Sequence, residues 1–208
     1  MSEAASYSAS ARVRRLELAF RGMRIGVFGG TFNPAHEGHA HVAEVAQKRL
    51  GLHKVWWLVT PQNPLKSRRG ARPLAARMLS AAAMARGPAT LVSDLEARWG
   101  LGYTAQTIEA LHQRFPGVRF FWIMGADNAA GFHHWRDWQH ILQAVPCLIV
   151  SRPGAGARAR LAKAMGRFAD AKTSPQSLRT RRAPAIAFAQ APLVPASSTA
   201  LRAIGRSA

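Results

Sequence analysis

The sequence predicts one α/β domain built on a parallel sheet with helices on both faces. Three observations carry that reading: short runs that are apolar on both faces, helix-period segments between them, and 208 residues at 48% hydrophobic content, enough for one sizeable core. The elements follow in β-α order. "MRIGVFGG" from Met23 is the first strand, its extended part Arg24 to Phe28, followed by a helix across His39 to Leu50. "KVWWLV" is the second strand, and Pro73 opens the next helix, where its missing N–H is no loss. "ATLVS" precedes a helix from about Thr104 with Ile108, Leu111 and Phe115 on one face. "VRFFWIMG", "CLIVSRPG" and "PAIAFA" supply further strands, and "SSTALRAIG" a last helix. In such an open sheet, ligands bind beyond the carboxyl ends of the strands where strand order reverses.

Composition bounds the function without choosing it. The formal charge of +19, from 29 Lys and Arg against 10 Asp and Glu, favours anionic partners such as phosphorylated small molecules or nucleic acid. The basic residues are mostly arginine and are spread along the chain, as a high-GC genome would also produce. The lone Cys147 lies in "VPCLIV", which excludes a disulfide framework and a cysteine zinc site within one chain and predicts a buried thiol. No apolar run reaches the ~18 residues of a membrane span and no signal-peptide core is evident, so a soluble, cytoplasmic protein without a membrane partner is expected. Residues 1–22, rich in Ser, Ala and Arg, read as a basic, disordered extension, with the domain over 23–208. Self-association is compatible with the sequence and unspecified by it.

"GGTFNPAHEGH", Gly29 to His39, concentrates the chemistry. Gly29 and Gly30 permit a tight turn and close approach of a ligand, yet neither the G-x-G-x-x-G nor the Walker pattern is present. A helix beginning near His36 would aim its orphan N–H groups and dipole at whatever covers the glycines, which suits an anion. His36 and His39 share one face of its first turn, so both rings can address one phosphate across Gly38. A zinc site would need further donors at suitable spacing; no protein metal ligand is assigned.

These residues carry a resemblance. "GGTFNPAHEGH" matches throughout the signature of the nucleotidyltransferase superfamily that includes nicotinate-mononucleotide, nicotinamide-mononucleotide and pantetheine-phosphate adenylyltransferases. The last of these usually carries Thr at the position of His36. The resemblance implies a Rossmann-like doubly wound fold, with Gly29, Gly30, Thr31, Phe32, His36 and His39 around ATP and Asn33 toward the mononucleotide. "SSTALR", Ser197 to Arg202, resembles the same superfamily's second phosphate-gripping signature. It implies Ser197, Ser198, Thr199 and Arg202 on the β- and γ-phosphates, Arg202 sharing a helix face with Ser198. His36, His39 and Arg202 are thus the catalytic candidates.

"TPQNPLK", "GYTAQTIEAL", "GADN" and "FHHWRDW" resemble the bacterial nicotinate-mononucleotide branch. They imply Lys66 near phosphate, Gly125 and Asp127 near adenosine, Tyr103 and Thr104 beside the pyridine, Trp135 stacked on it and Arg136 as a cationic neighbour. Thr104, Trp135 and Lys66 could equally be a helix cap, a core residue and a solvated lysine. The expected reaction joins ATP and nicotinate mononucleotide into deamido-NAD and pyrophosphate, with Mg²⁺ carried mainly on the nucleotide phosphates. Nicotinamide mononucleotide is the alternative acceptor. A nucleic-acid-binding module on the same fold would require tight, salt-dependent polyanion binding, and no aromatic interleaving in the basic stretches supports it.

Overall fold

The computed structural model describes residues 17–61, 72–151 and 162–190. Within them one seven-stranded sheet contains β1 (Arg24–Gly30), β2 (Lys54–Val59), β3 (Thr90–Ser93), β4 (Arg119–Gly125), β5 (Cys147–Ser151), β6 (Lys172–Thr173) and β7 (Ile186–Gln190). Their spatial order is β3-β2-β1-β4-β5-β7-β6, and every pairing is parallel. The chain steps outward from β1 through β2 to β3, then returns to place β4 on the other side of β1. Strand order therefore reverses between β1 and β4, which is the position where a parallel sheet opens a ligand crevice. The expected doubly wound, Rossmann-like architecture is present.

The helices between strands are α1 (Glu37–Leu50), α2 (Leu74–Met84), α3 (Leu95–Arg98), α4 (Thr104–Arg114), α5 (Ala126–Ala130), α6 (Trp138–Ala144), α7 (Lys163–Arg167) and α8 (Pro175–Leu178). Alternate residues of each strand point to opposite faces, and both faces are covered. Val27, Trp56, Trp122, Met124 and Ile149 pack on one side with Ile108 and Leu111 of α4 and Ile141 and Leu142 of α6. Phe28, Trp57, Phe121, Ile123 and Leu148 pack on the other with Ala40, Ala43 and Ala46 of α1 and Ala81 and Ala82 of α2. The sheet supplies the bulk there and the helices supply flat alanine faces, so α1 and α2 lie close to the strands. Cys147 is fully buried as expected, and burial raises its thiol pKa. No described helix is long and apolar enough to cross a membrane.

Helix α1 begins at Glu37 with His36 as its cap, in line with the expected start near His36. Two boundaries differ from the sequence reading. β1 continues through both glycines instead of stopping at Phe28, because Gly29 and Gly30 pair with Leu58 and Val59. Residues 17–22 fell within the extension by composition, but the chain is held from Glu17 onward: the Glu17 carboxylate meets Ser93 and Arg98, Leu18 O accepts from Lys54 Nζ at 3.0 Å, and Gly22 N donates to Gly117 O at 2.9 Å. The terminal "SSTALRAIG" segment lies outside the described residues.

Trp122 limits what position 29 can carry. A Cβ at Gly29 would stand 2.7 Å from its ring, whereas a Cβ at Gly125, across the same gap, would meet nothing within 4 Å. Gly29→Ala is expected to cost about 1–3 kcal/mol of unfolding free energy through overpacking against a buried indole. Gly125→Ala should cost much less; urea denaturation of the two variants checks the contrast.

Candidate active site

The turn after β1 is set by an inward-facing aromatic. Phe32 adopts φ 46°, is 1% exposed, and stacks on Trp57 at 5.1 Å with an interplanar angle of 11°. Left-handed backbone at a bulky residue is costly, and burial of the ring in a cluster with Phe28, Trp57 and His39 compensates for it. The ring of Phe32, expected beside ATP, is therefore core, and only its backbone is left to face a ligand. Asn33, expected at the mononucleotide, is 9% exposed and its Oδ1 accepts from Arg72 N at 3.3 Å, so it holds the chain where α2 approaches.

His36 and His39 form a reciprocal cap at the start of α1. The Gly38 N–H donates to His36 Nδ1 at 3.1 Å, the His36 N–H donates to His39 Nδ1 at 3.2 Å, and the ring centroids lie 3.9 Å apart. This is the logic of a capping box written with imidazoles in place of Ser and Glu. Each Nδ1 serves as an acceptor, so in this geometry the ring proton resides on Nε2. The donors of the pair are thus its Nε2–H groups, placed directly after the glycine turn. Edge contact with Phe32 at 5.0 Å fixes His39 from below.

Gly125 ends β4 at the same end of the sheet. Phe28 pairs with Ile123, so two residues farther along Gly30 and Gly125 flank the switch point. Gly125 caps α5, and exposed Asp127 stands in its first turn. The residues expected near adenosine and near phosphate are accordingly on neighbouring strand ends.

The pyridine candidates also converge. The Arg136 guanidinium lies over the Tyr103 ring at 4.7 Å, and Trp135 meets Trp122 edge-on at 6.4 Å while packing on Phe132 at 5.1 Å. Trp122 therefore touches both the glycine turn and the tryptophan beside it. Tyr103, not Thr104, occupies the cap of α4; Thr104 is the first helical residue, and Gln106 Oε1 accepts the N–H groups of Gly102 and Tyr103 at 3.1 and 3.2 Å. Lys66, Ser197, Ser198, Thr199 and Arg202 lie outside the described residues. Among the described residues no group of three His, Cys, Asp or Glu is placed to hold a metal ion.

Two buried ionisable residues escaped the sequence reading. Arg77 of α2, 5% exposed, donates from Nη1 to Thr31 O at 2.9 Å and Thr60 O at 2.7 Å, from Nη2 to Pro61 O at 2.9 Å, and from Nε to Arg72 O at 3.0 Å. One guanidinium ties the ends of β1 and β2 to the start of α2, and burial lowers its pKa. The available signal was its place on the apolar stripe shared by Leu74, Met78 and Ala81. Glu96 of α3, also 5% exposed, accepts from Thr107 Oγ1 at 2.9 Å, and its Oε2 has no hydrogen-bond partner among the described residues.

Burial pushes the Glu96 carboxyl pKa up, against smaller opposing contributions from the Thr107 and Thr60 hydroxyls. An acid whose folded pKa exceeds its unfolded value binds more protons when folded, so it loses stability as pH rises above about 4.5 through the folded pKa. Glu96→Gln, which cannot ionise, should gain unfolding free energy relative to the parent as pH rises from 5 to 8. Denaturation midpoints of the two proteins at both pH values measure that widening gap.

The cytidylyltransferase-like family profile matches residues 27–204. A Caulobacter (strain K31) protein named probable nicotinate-nucleotide adenylyltransferase is 54% identical over 183 residues, covering 86% of this chain and 97% of the relative. Proteins of the same name from Cereibacter sphaeroides (strain ATCC 17025) and Parvibaculum lavamentivorans are 49% and 46% identical, covering 88% and 92% of this chain and 99% and 96% of theirs. In fold, the chain is similar to Plasmodium falciparum nicotinic acid mononucleotide adenylyltransferase complexed with NaAD, with TM-score 0.62 and 15% identity over 87% of this chain and 83% of that one. A glycine turn and paired imidazoles at the sheet's switch point agree with the sequence comparisons: the chain belongs to the cytidylyltransferase-like family, among its nicotinate-nucleotide adenylyltransferases.

Proposed function

We propose that the enzyme transfers the adenylyl group of ATP to nicotinate mononucleotide, releasing pyrophosphate and forming nicotinate adenine dinucleotide in the cytoplasm. The observation that carries the mechanism is the reciprocal cap of His36 and His39, which holds both rings as donors at the mouth of the β1 turn. A 5′-phosphate oxygen of the mononucleotide attacks the α-phosphorus in line; the bond from that phosphorus to the bridging oxygen breaks, and pyrophosphate leaves with the bonding electrons. Negative charge shifts from the attacking phosphate to the departing pyrophosphate, and donors fixed beforehand stabilise it without reorganising. No covalent enzyme intermediate is needed, because placement of the two nucleotides supplies much of the rate.

Arg202 and the hydroxyls of Ser197, Ser198 and Thr199 complete the grip on the β- and γ-phosphates in this proposal, and Lys66 faces phosphate; all five rest on the sequence resemblance. Gly125 and Asp127 take the adenosine side. The described donors do not suit a resident divalent ion, so Mg²⁺ is proposed to arrive on the triphosphate, where it would screen phosphate charge. Trp135 and Tyr103 flank the pyridine. Arg136 over Tyr103 gives that end a cationic character that favours a pyridine carboxylate over a carboxamide.

Pyrophosphate release from ATP and Mg²⁺ with each mononucleotide at equal concentration tests the proposal. Turnover should be strong with nicotinate mononucleotide and weak with the nicotinamide form. His39→Ala should lower kcat by about 100- to 1000-fold, the scale of losing a preorganised donor, while costing only about 1 kcal/mol of stability as a lost cap. Arg136→Ala should raise KM for nicotinate mononucleotide by about 10-fold and leave the nicotinamide form nearly unchanged. Absence of release with either acceptor would refute the assignment.

A further inference from the structure

The turn that leads from β1 into α1 is irregular backbone, and the start of α2 holds it at every second residue. Thr31 O accepts from Arg77 Nη1 at 2.9 Å, and Asn33 Oδ1 accepts from Arg72 N at 3.3 Å, just ahead of α2. The Ala35 N–H donates to Ser80 Oγ at 3.2 Å. The next residue is His36, which caps α1 and exchanges hydrogen bonds with the start of that helix. The three partner pairs are 39 to 46 positions apart in the chain, so α2 grips the turn from outside it.

Arg77 joins this turn to a second strand end. Its Nη1 also donates to Thr60 O at 2.7 Å, its Nη2 to Pro61 O at 2.9 Å and its Nε to Arg72 O at 3.0 Å. A guanidinium is a planar fork with fixed N–H directions, so these carbonyls and that of Thr31 are held at set positions relative to one another.

We propose that Arg77 and Ser80 are positioning residues for adenylyl transfer: by fixing the backbone from Thr31 to Ala35 they place the His36 and His39 rings against the ATP phosphates. The inference rests on the substrate reading above. Neither side chain needs to touch a substrate.

Stability alone is a poor account of Arg77. The residue is 5% exposed, and among the described residues no carboxylate pairs with it. A buried cation without a counter-charge is costly, and an apolar side chain would fill the space on α2 at lower cost. Its hydrogen bonds add what packing lacks, a fixed direction to named backbone atoms. The turn has particular need of that, because Phe32 holds φ 46° between the two gripped residues Thr31 and Asn33, and a strained backbone persists only where its surroundings over-determine it. Donors fixed beforehand are what lower the barrier to transfer, and an error of about 1 Å in their placement can cost on the order of 100-fold in rate.

The test measures kcat at saturating ATP and KM for nicotinate mononucleotide, with a thermal melt of each protein, in the parent and in Arg77→Met, Arg77→Lys and Ser80→Ala. Arg77→Met should lower kcat by about 10- to 100-fold, with KM for nicotinate mononucleotide within about 3-fold of the parent. Arg77→Lys keeps the charge and loses the fork, so its kcat should fall by at least about 10-fold as well. Ser80→Ala loses one hydrogen bond on a helix that accepts alanine readily; it should lower Tm by only about 2–4 °C and kcat by about 10-fold. Ser80→Ala therefore decides the matter even where the Arg77 variants fail to fold. A double-mutant cycle separates positioning from a general loss of stability: in a His39→Ala background, Ser80→Ala should cost less than about 3-fold, because the ring it positions is gone. Parental kcat in folded Ser80→Ala or Arg77→Lys, or an undiminished loss in the His39→Ala background, would overturn the inference and leave the substrate reading standing. A parent enzyme that releases no pyrophosphate overturns both.

Discussion

Burial of both faces of a parallel sheet is the constraint from which the other features follow. Strand backbones pair with each other, helices cover the side chains, and polar groups able to meet a ligand are left at the strand ends. Among those ends the reversal between β1 and β4 is where a parallel sheet opens a crevice, because the chain departs from β1 in one direction and returns to β4 from the other. Gly29, Gly30 and Gly125 stand there, with the Trp122 ring against Gly29.

The site was legible where its chemistry is local in the chain. Glycines followed within ten residues by two histidines announce a turn and a helix start, and both are present, with the first histidine as the cap. Arg77 was not legible, since its acceptors are backbone carbonyls of Thr31, 46 residues away, and of Thr60 and Pro61, 17 and 16 residues away. A backbone acceptor leaves no trace in residue identity. Glu17 was hidden for a related reason: its partners Ser93 and Arg98 lie 76 and 81 positions on, and the Ser-, Ala- and Arg-rich composition of residues 1–22 gives no sign of them.

Phe32 and Asn33 show a second limit. A motif reports which residues recur together, whereas the direction of each side chain depends on backbone dihedrals that the motif does not state. The φ of 46° at Phe32 turns its ring into the core, and Asn33 turns with it toward Arg72. The α4 helix starts at Thr104 as expected, but its cap is Tyr103, because Gln106 reaches back to the N–H groups, which removes the need for a hydroxyl there.

In the proposed mechanism the two imidazoles that meet phosphate are also the groups that start α1, so the same hydrogen bonds would serve folding and transfer. Laboratory evolution for heat tolerance would find an easy gain here, since serine or aspartate caps a helix at least as well as histidine. Such a gain would be taken directly from turnover. A selection that scores only solubility or melting temperature would therefore drift toward well-capped, inactive chains, and any engineering of this enzyme for robustness has to hold positions 36 and 39 fixed while seeking stability elsewhere.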